Sequence, residues 1–266
     1  MTGWNHSGTW LGRMRNQAAR SALEFACRPI LRCINRYRRE RDMKPLKSFE
    51  ETLSPFGQFS QQTLDFDFPN RSLPKHFYYI GRVERLPTDH LRFPYEKLNG
   101  KPLIYCSFGT LNTALRSVHA CVGKACEGMD VQLIFTGLAE EPTNLRDSPV
   151  VVPYAPQTEL MRRSILTICH GGNNTVLDSL FCGVPVIALP IANDQFGVSA
   201  RLRASGAGEM IPARKVTPER LRRLIEVVLT NRNFRKQAVR LQDSIGEAGG
   251  VRYAVDRIEN LLAFTD

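Results

Sequence analysis

From Lys101 onward the chain alternates between short, continuous apolar runs and longer segments whose apolar residues recur at helical spacing. The runs PLIYCSF (102–108), VQLIFTG (131–137), VVVPYA (150–155), ILTICH (165–170) and VPVIALP (184–190) predict strands. Between them, residues 111–126, 158–164, 174–183 and 194–205 carry the three-to-four-residue apolar period of amphipathic helices. Strands that are apolar throughout belong in a parallel sheet covered on both faces. With right-handed crossovers the prediction is an α/β, doubly wound parallel sheet of the Rossmann-like kind. Three further helices are predicted over 217–230, 231–248 and 251–264. The first opens on Thr217-Pro218-Glu219, a Thr N-cap followed by Pro at the first helical position.

The pattern before Lys101 is different. Leu23, Phe25, Ala26, Ile30, Leu31 and Ile34 recur near helical spacing, so residues 11–41 read as a basic amphipathic helical region, broken at Pro29. Residues 43–100 form a Pro-, Phe- and Ser-rich connector with short extended pieces such as HFYYIGRV (76–83) and little core of its own. The expected division is 1–75, a linker over 76–100, the sheet domain over 101–249 and a terminal helix over 250–266.

Charge sharpens the contrast. The net charge is +10, and residues 11–48 alone hold eleven Lys/Arg against three acids. The sheet region is therefore close to neutral, which argues against a nucleic-acid-reading domain. Seven cysteines, an odd number without a C-x-x-C pair, suit neither a disulfide scaffold nor a zinc site. Cys106, Cys169 and Cys182 sit inside apolar runs as small buried thiols, so a reducing cytoplasm is expected. No apolar stretch approaches ~18 residues, the length needed to span a bilayer. The first sixteen residues lack the apolar core of a signal peptide.

In a doubly wound sheet, ligands bind beyond the carboxyl ends of the strands. The candidate chemistry lies there: Ser107-Phe108-Gly109-Thr110, Tyr154-Ala155-Pro156-Gln157, His170-Gly171-Gly172-Asn173-Asn174-Thr175 and Ile191-Ala192-Asn193-Asp194-Gln195. In the His170 segment two glycines leave a strand and open a helix. The free N–H groups of Asn173, Asn174 and Thr175 then make an anion site at the positive helix end. Asp178 lies two turns beyond His170. It is placed to accept from a ribose hydroxyl and should point away from phosphate. The bland reading is a capped glycine turn. G-x-G-x-x-G and G-x-x-x-x-G-K-[ST] are both absent. Asp65-Phe66-Asp67 is a D-x-D triplet in the connector, far from the sheet rim, and reads as a chance match rather than a metal site.

Residues 154–212 resemble the signature region of family 1 nucleotide-sugar glycosyltransferases, on the bacterial macrolide- and carotenoid-type branch. The ordered set Pro-Gln, His-Gly-Gly-x-Asn-Thr, Gly-Val-Pro and Asp-Gln carries the likeness, and FYYIGRV and PLIYCSFGT extend it over about 77–266. The resemblance implies the C-terminal half of a GT-B fold, with residues 1–75 as the last part of an acceptor-side domain whose remainder another chain could supply. It also implies roles. Tyr154 would stack on the nucleobase with Gln157 beside it. His170, Gly172, Asn174 and Thr175 would contact the diphosphate, and Asp178 the ribose. Asp194 and Gln195 would read the sugar hydroxyls, while Ser107, Gly109 and Thr110 close on the nucleotide. No cofactor or metal is expected beyond the UDP- or dTDP-sugar. The acceptor would be a hydroxyl of a carotenoid, glycolipid or other natural product. The family's general base, a His of the N-terminal domain, has no counterpart at His6, His76 or His90, so no catalytic residue is assigned. Two functions remain: an inverting, metal-independent hexosyltransferase, or a non-catalytic nucleotide-sugar-binding or partner-activating module. The basic segment 11–41 reads first as a helix with a solvated basic face that packs against the rest of the acceptor-side domain; the alternative is attachment of this cytoplasmic protein to the anionic inner membrane face.

Overall fold

The computed structural model describes residues 9–69, 73–84, 91–109, 116–138 and 149–263. Helix α1 spans Trp10–Arg39. The connector carries strands β1 (Gln58–Ser60) and β2 (Phe77–Tyr79), which pair in parallel. The main sheet follows: β3 (Leu103–Ser107), α2 (Arg116–Cys126), β4 (Gln132–Thr136), β5 (Val150–Val152), α3 (Gln157–Arg162), β6 (Ser164–Cys169), α4 (Asn173–Phe181), β7 (Val186–Ala188), α5 (Gln195–Ser205) and β8 (Gly208–Met210). Helices α6 (Pro218–Thr230), α7 (Arg232–Glu247) and α8 (Gly250–Ala263) complete it.

The six strands lie in the order β5-β4-β3-β6-β7-β8, each pair parallel. The sequence direction reverses between β3 and β6, so the switch point of the doubly wound sheet lies there. β3 and β4 are buried at every position, as their unbroken apolar runs require. On one face Val118 and Val122 of α2 meet Leu221, Ile225 and Val228 of α6 over Ile104, Cys106 and Phe135. On the other, Val176, Leu177 and Leu180 of α4 pack with Ala238, Leu241 and Ile245 of α7. Helix α6 starts as expected, with Thr217 Oγ1 accepting from the Arg220 N–H at 3.3 Å.

Three expectations change. Helix α1 runs unbroken through Pro29. Proline removes one backbone donor, and the orphaned carbonyl of Phe25 lies on an exposed turn where water can satisfy it. A sixth strand, β8, joins the sheet edge. The connector also contributes to the core: Phe66 is fully buried against α4 and α7. Helix α8 crosses back over this connector, with Arg257 above the Tyr78 ring at 5.6 Å.

Candidate functional site

The strands flanking the switch point end together, Ser107 of β3 in register with Cys169 of β6. His170 follows Cys169 directly and faces the end of β3. A Cβ added at Gly109 would lie 3.2 Å from its Cε1, and one at Gly172 only 2.5 Å from its Nε2. The imidazole is thus sandwiched between two glycines, and any side chain there would displace it. Burial pushes its pKa below the ordinary value, while the Ser107 backbone and Asp194 pull it back. His170 Nδ1 is buried short of hydrogen-bond geometry.

Helix α4 begins beside this ring. Its N-cap is Gly172, with extended backbone and no side-chain cap. The first-turn N–H groups therefore keep their capacity for an external acceptor. Thr175 is buried and Asn174 exposed in that turn.

A cavity of about 1020 Å³ opens beside α4. Ser107, Gly109, Tyr154, Gln157 and Thr175 line it, five of the expected donor-site residues. Tyr154 stands at its mouth, 63% exposed. A polar chain crosses its floor. Thr136 Oγ1 and Tyr105 OH lie 3.0 Å apart, and Tyr105 donates to Gln157 Oε1 at 3.2 Å. Gln157 Nε2 donates to Asp178 Oδ2 at 2.6 Å, and Arg82 Nε to Asp178 Oδ1 at 2.5 Å. Asp178 is therefore not open as expected: both carboxylate oxygens are engaged and the residue is buried.

A smaller cavity, about 450 Å³, is lined by Asn173 and Asp194 together with Phe59, Ser60, Gln61 and Gln62 of the connector. Asp194 is exposed at the start of α5. Gln195 is buried, and its Oε1 accepts from the Ile191 and Ala192 N–H groups at 2.8 and 3.1 Å. That carboxamide shapes the loop that carries Asp194.

The D-x-D triplet is nearer this site than expected. Asp67 accepts from Arg201 Nε of α5 at 2.7 Å and from Tyr79 OH at 2.7 Å, and Arg201 lines the smaller cavity. Asp65 pairs with Arg240, and Phe66 is core. These side chains are structural clamps. Among the described residues no cluster of His, Cys, Asp and Glu could hold a metal ion.

The fold thus gathers Ser107, Gly109, Tyr154, Gln157, His170, Gly172, Asn174, Thr175 and Asp178 around one strand crossing, with Asp194 and Gln195 beyond it. Thr110 lies outside the described residues. Arg82, Tyr105 and Thr136 were not anticipated. Tyr105 and Thr136 sit inside apolar strands, where a hydroxyl was the one available signal.

The family model described as UDP-glucoronosyl and UDP-glucosyl transferase matches residues 5–246. A zeaxanthin glucosyltransferase of Pantoea ananas is 32% identical over 260 residues, 94% of this chain and 59% of that protein. A second, from Pseudescherichia vulneris, is 29% identical over 224 residues, 82% of this chain and 53% of its own. The chain thus spans somewhat over half the length of these relatives. Among solved structures, the glycotransferase of kitacinnamycin superposes with a TM-score of 0.77 at 19% identity, over 97% of this chain and 68% of its own. The glycosyltransferase VinC, in complex with dTDP, has a TM-score of 0.57 at 21% identity, over 75% and 50%. These structures share the fold of the sheet described above. With its family model matched over nearly its whole length, the chain belongs to the UDP-glucoronosyl and UDP-glucosyl transferase family.

Proposed function

We propose that this chain supplies the donor side of glycosyl transfer. It binds a nucleoside-diphosphate sugar, a UDP-sugar in preference to a dTDP-sugar. The sugar's anomeric carbon is presented to a hydroxyl of a small or lipophilic acceptor, such as a carotenoid or glycolipid. The observation that carries this reading is the large cavity lined by Ser107, Gly109, Tyr154, Gln157 and Thr175 beside the uncapped start of α4, with His170 held between Gly109 and Gly172 and a second cavity at Asp194. Tyr154 offers an aromatic face for a base. Gln157 and Asp178 lie where the ribose would follow. His170, Gly172, Asn174 and Thr175 would contact the diphosphate, with Ser107 and Gly109 beside them. Asp194 and Gln195 meet the sugar hydroxyls.

In transfer with inversion the acceptor oxygen attacks the anomeric carbon as the bond to the phosphate oxygen breaks. The nucleoside diphosphate leaves with the electron pair. Hydrogen-bond donors fixed at the leaving phosphate stabilise that charge most when the pocket excludes water. A helix N-terminus and an imidazole do this without a metal ion. The acceptor proton needs a base. Of the described histidines, His76 lies 3.4 Å from the Gln58 amide, His119 is buried against Phe108 and Phe135, and His170 sits at the phosphate position. None of these described histidines is placed to serve an acceptor, and we expect the chain to bind nucleotide without transferring sugar. Calorimetry against UDP, dTDP and UDP-sugars tests the reading. Saturable binding of one nucleotide supports it, and no binding by folded protein removes it. Sustained sugar transfer by the chain alone would overturn the assignment of the base elsewhere.

We infer also that α1 meets an anionic membrane surface. Trp10, Leu11, Met14, Phe25 and Ile30 are exposed along it among eight arginines. Among the described residues no helix is long and apolar enough to cross a membrane. Surface contact through basic and apolar side chains suits a lipophilic acceptor.

A further inference from the structure

We propose that Arg82 is a positioning residue of the donor pocket: it neutralises Asp178, and so keeps the start of α4 receptive to a diphosphate. The inference rests on the donor-site reading above. Arg82 reaches α4 because its backbone is strapped on both sides. The Ile80 and Gly81 N–H groups donate to Ser60 and Gln62 carbonyls at 2.8 and 3.0 Å, and the Gly250 N–H donates to the Ile80 carbonyl at 2.9 Å. Gly81 has φ +72°, and a Cβ there would lie 2.4 Å from the Ala248 Cβ. The chain can pass beneath the α7–α8 junction only as glycine, and the next residue turns back onto α4.

There the guanidinium is held on several sides. Nε bonds Asp178 at 2.5 Å, Nη2 reaches Thr158 Oγ1 at 3.5 Å, and the head lies 4.7 Å above the Phe181 ring. The two side chains are 12% and 1% exposed. A carboxylate this deep is costly without a partner. Asp178 also sits on the helix whose N-terminus would receive the diphosphate. Without the Arg82 charge, its own negative charge would oppose the phosphates more strongly, through a medium that screens poorly. Paired with Arg82, it contributes no net charge and still fixes the Gln157 amide. Arg82 thus offsets the acid in the presence of a dianionic ligand.

The test is titration of uridine and UDP, by NMR and calorimetry, into wild type, Arg82→Met, Arg82→Lys and Arg82→Met/Asp178→Asn, each checked for folding by circular dichroism. The readout is the ratio of UDP to uridine affinity, which a general loosening of the pocket would not move. The ratio should fall about tenfold or more in Arg82→Met, where the buried carboxylate loses the Arg82 charge. It should return to within about threefold of wild type in the double variant, because the two charges act as one unit. Arg82→Lys should keep it. Should Arg82→Met fail to fold, the double variant and Arg82→Lys carry the test alone. An unchanged ratio in Arg82→Met overturns the proposal. So does a loss that the double variant fails to recover, which would make Arg82 a direct ligand contact. Wild type that binds neither compound overturns the donor-site reading itself, and this inference with it.

Discussion

Gly172 and His170 are in contact through space that only glycine leaves free: a Cβ at Gly172 would lie 2.5 Å from His170 Nε2. The helix that would receive the phosphates and the imidazole beside it are therefore set by one missing methyl group. Gly172→Ala must push the ring aside or shift the start of α4. UDP affinity should fall by on the order of 1.5–3 kcal/mol, the worth of a charge-assisted contact. The melting temperature should fall modestly, from the displaced ring and the poorer Ala N-cap rather than from backbone strain, since Gly172 is not in the left-handed region. Calorimetry beside thermal melting separates the two. Unchanged affinity would detach the ring from the site.

His170 also gives a pH signature. Burial holds its pKa below the ordinary value, so the folded state resists protonation. Between its folded pKa and about 6.5 the unfolded chain binds the extra proton, and stability rises with pH across that window. Below the folded pKa that contribution is fully lost. Melting curves from pH 5 to 8 should show wild type losing stability on acidification more steeply than His170→Gln. Parallel curves would mean that the imidazole titrates as in the unfolded chain.

The Asp67 clamp yields a prediction about metal. Burial alone would raise the Asp67 pKa, but hydrogen bonds from Tyr79 and Arg201 outweigh it and hold the pKa below the usual range. The stability from this pair is present above pH ~4, the unfolded carboxylate pKa, and is lost as pH falls through the lower folded value. Arg201→Met removes a cation paired with a buried carboxylate and should cost up to about 3–5 kcal/mol of stability. EDTA should leave nucleotide binding intact. A requirement for Mg²⁺ or Mn²⁺ would return the D-x-D triplet to the site.

How much of this was legible in the sequence follows from where each signal lies. β3, β4 and β6 carry unbroken apolar runs because both faces of each strand are covered, and His170 was found because it directly follows one. β8 was not visible: Gly-Glu-Met has neither β-branched residues nor a period, and it is a strand only because β7 lies beside it. Asp178 was found as an acid on α4, but its partner Arg82 is 96 residues away in a segment without periodicity. An ion pair of that separation is created by the fold and leaves no local trace. Likewise Asp67 looked remote from the rim until α5 brought Arg201 to it. Pro29 was given too much weight, since an exposed helix can lose one hydrogen bond to water.

Helix α1 should bind anionic vesicles and not neutral ones. Basic residues near such a surface contribute about 1 kcal/mol each, and the attraction fades with salt. Sedimentation with phosphatidylserine vesicles should therefore be lost as ionic strength rises. Equal binding to neutral vesicles would mean bare apolar adhesion, and binding to neither would leave α1 a solvated basic helix.

The central claim is that a metal-free helix terminus with His170 binds the nucleoside diphosphate. Its most direct test is calorimetric titration of the chain with UDP in EDTA, for wild type and His170→Ala. The expected result is one site in wild type, weakened in His170→Ala by on the order of 1.5–3 kcal/mol. UDP binding that needs a divalent ion, or that is the same in both proteins, would contradict it.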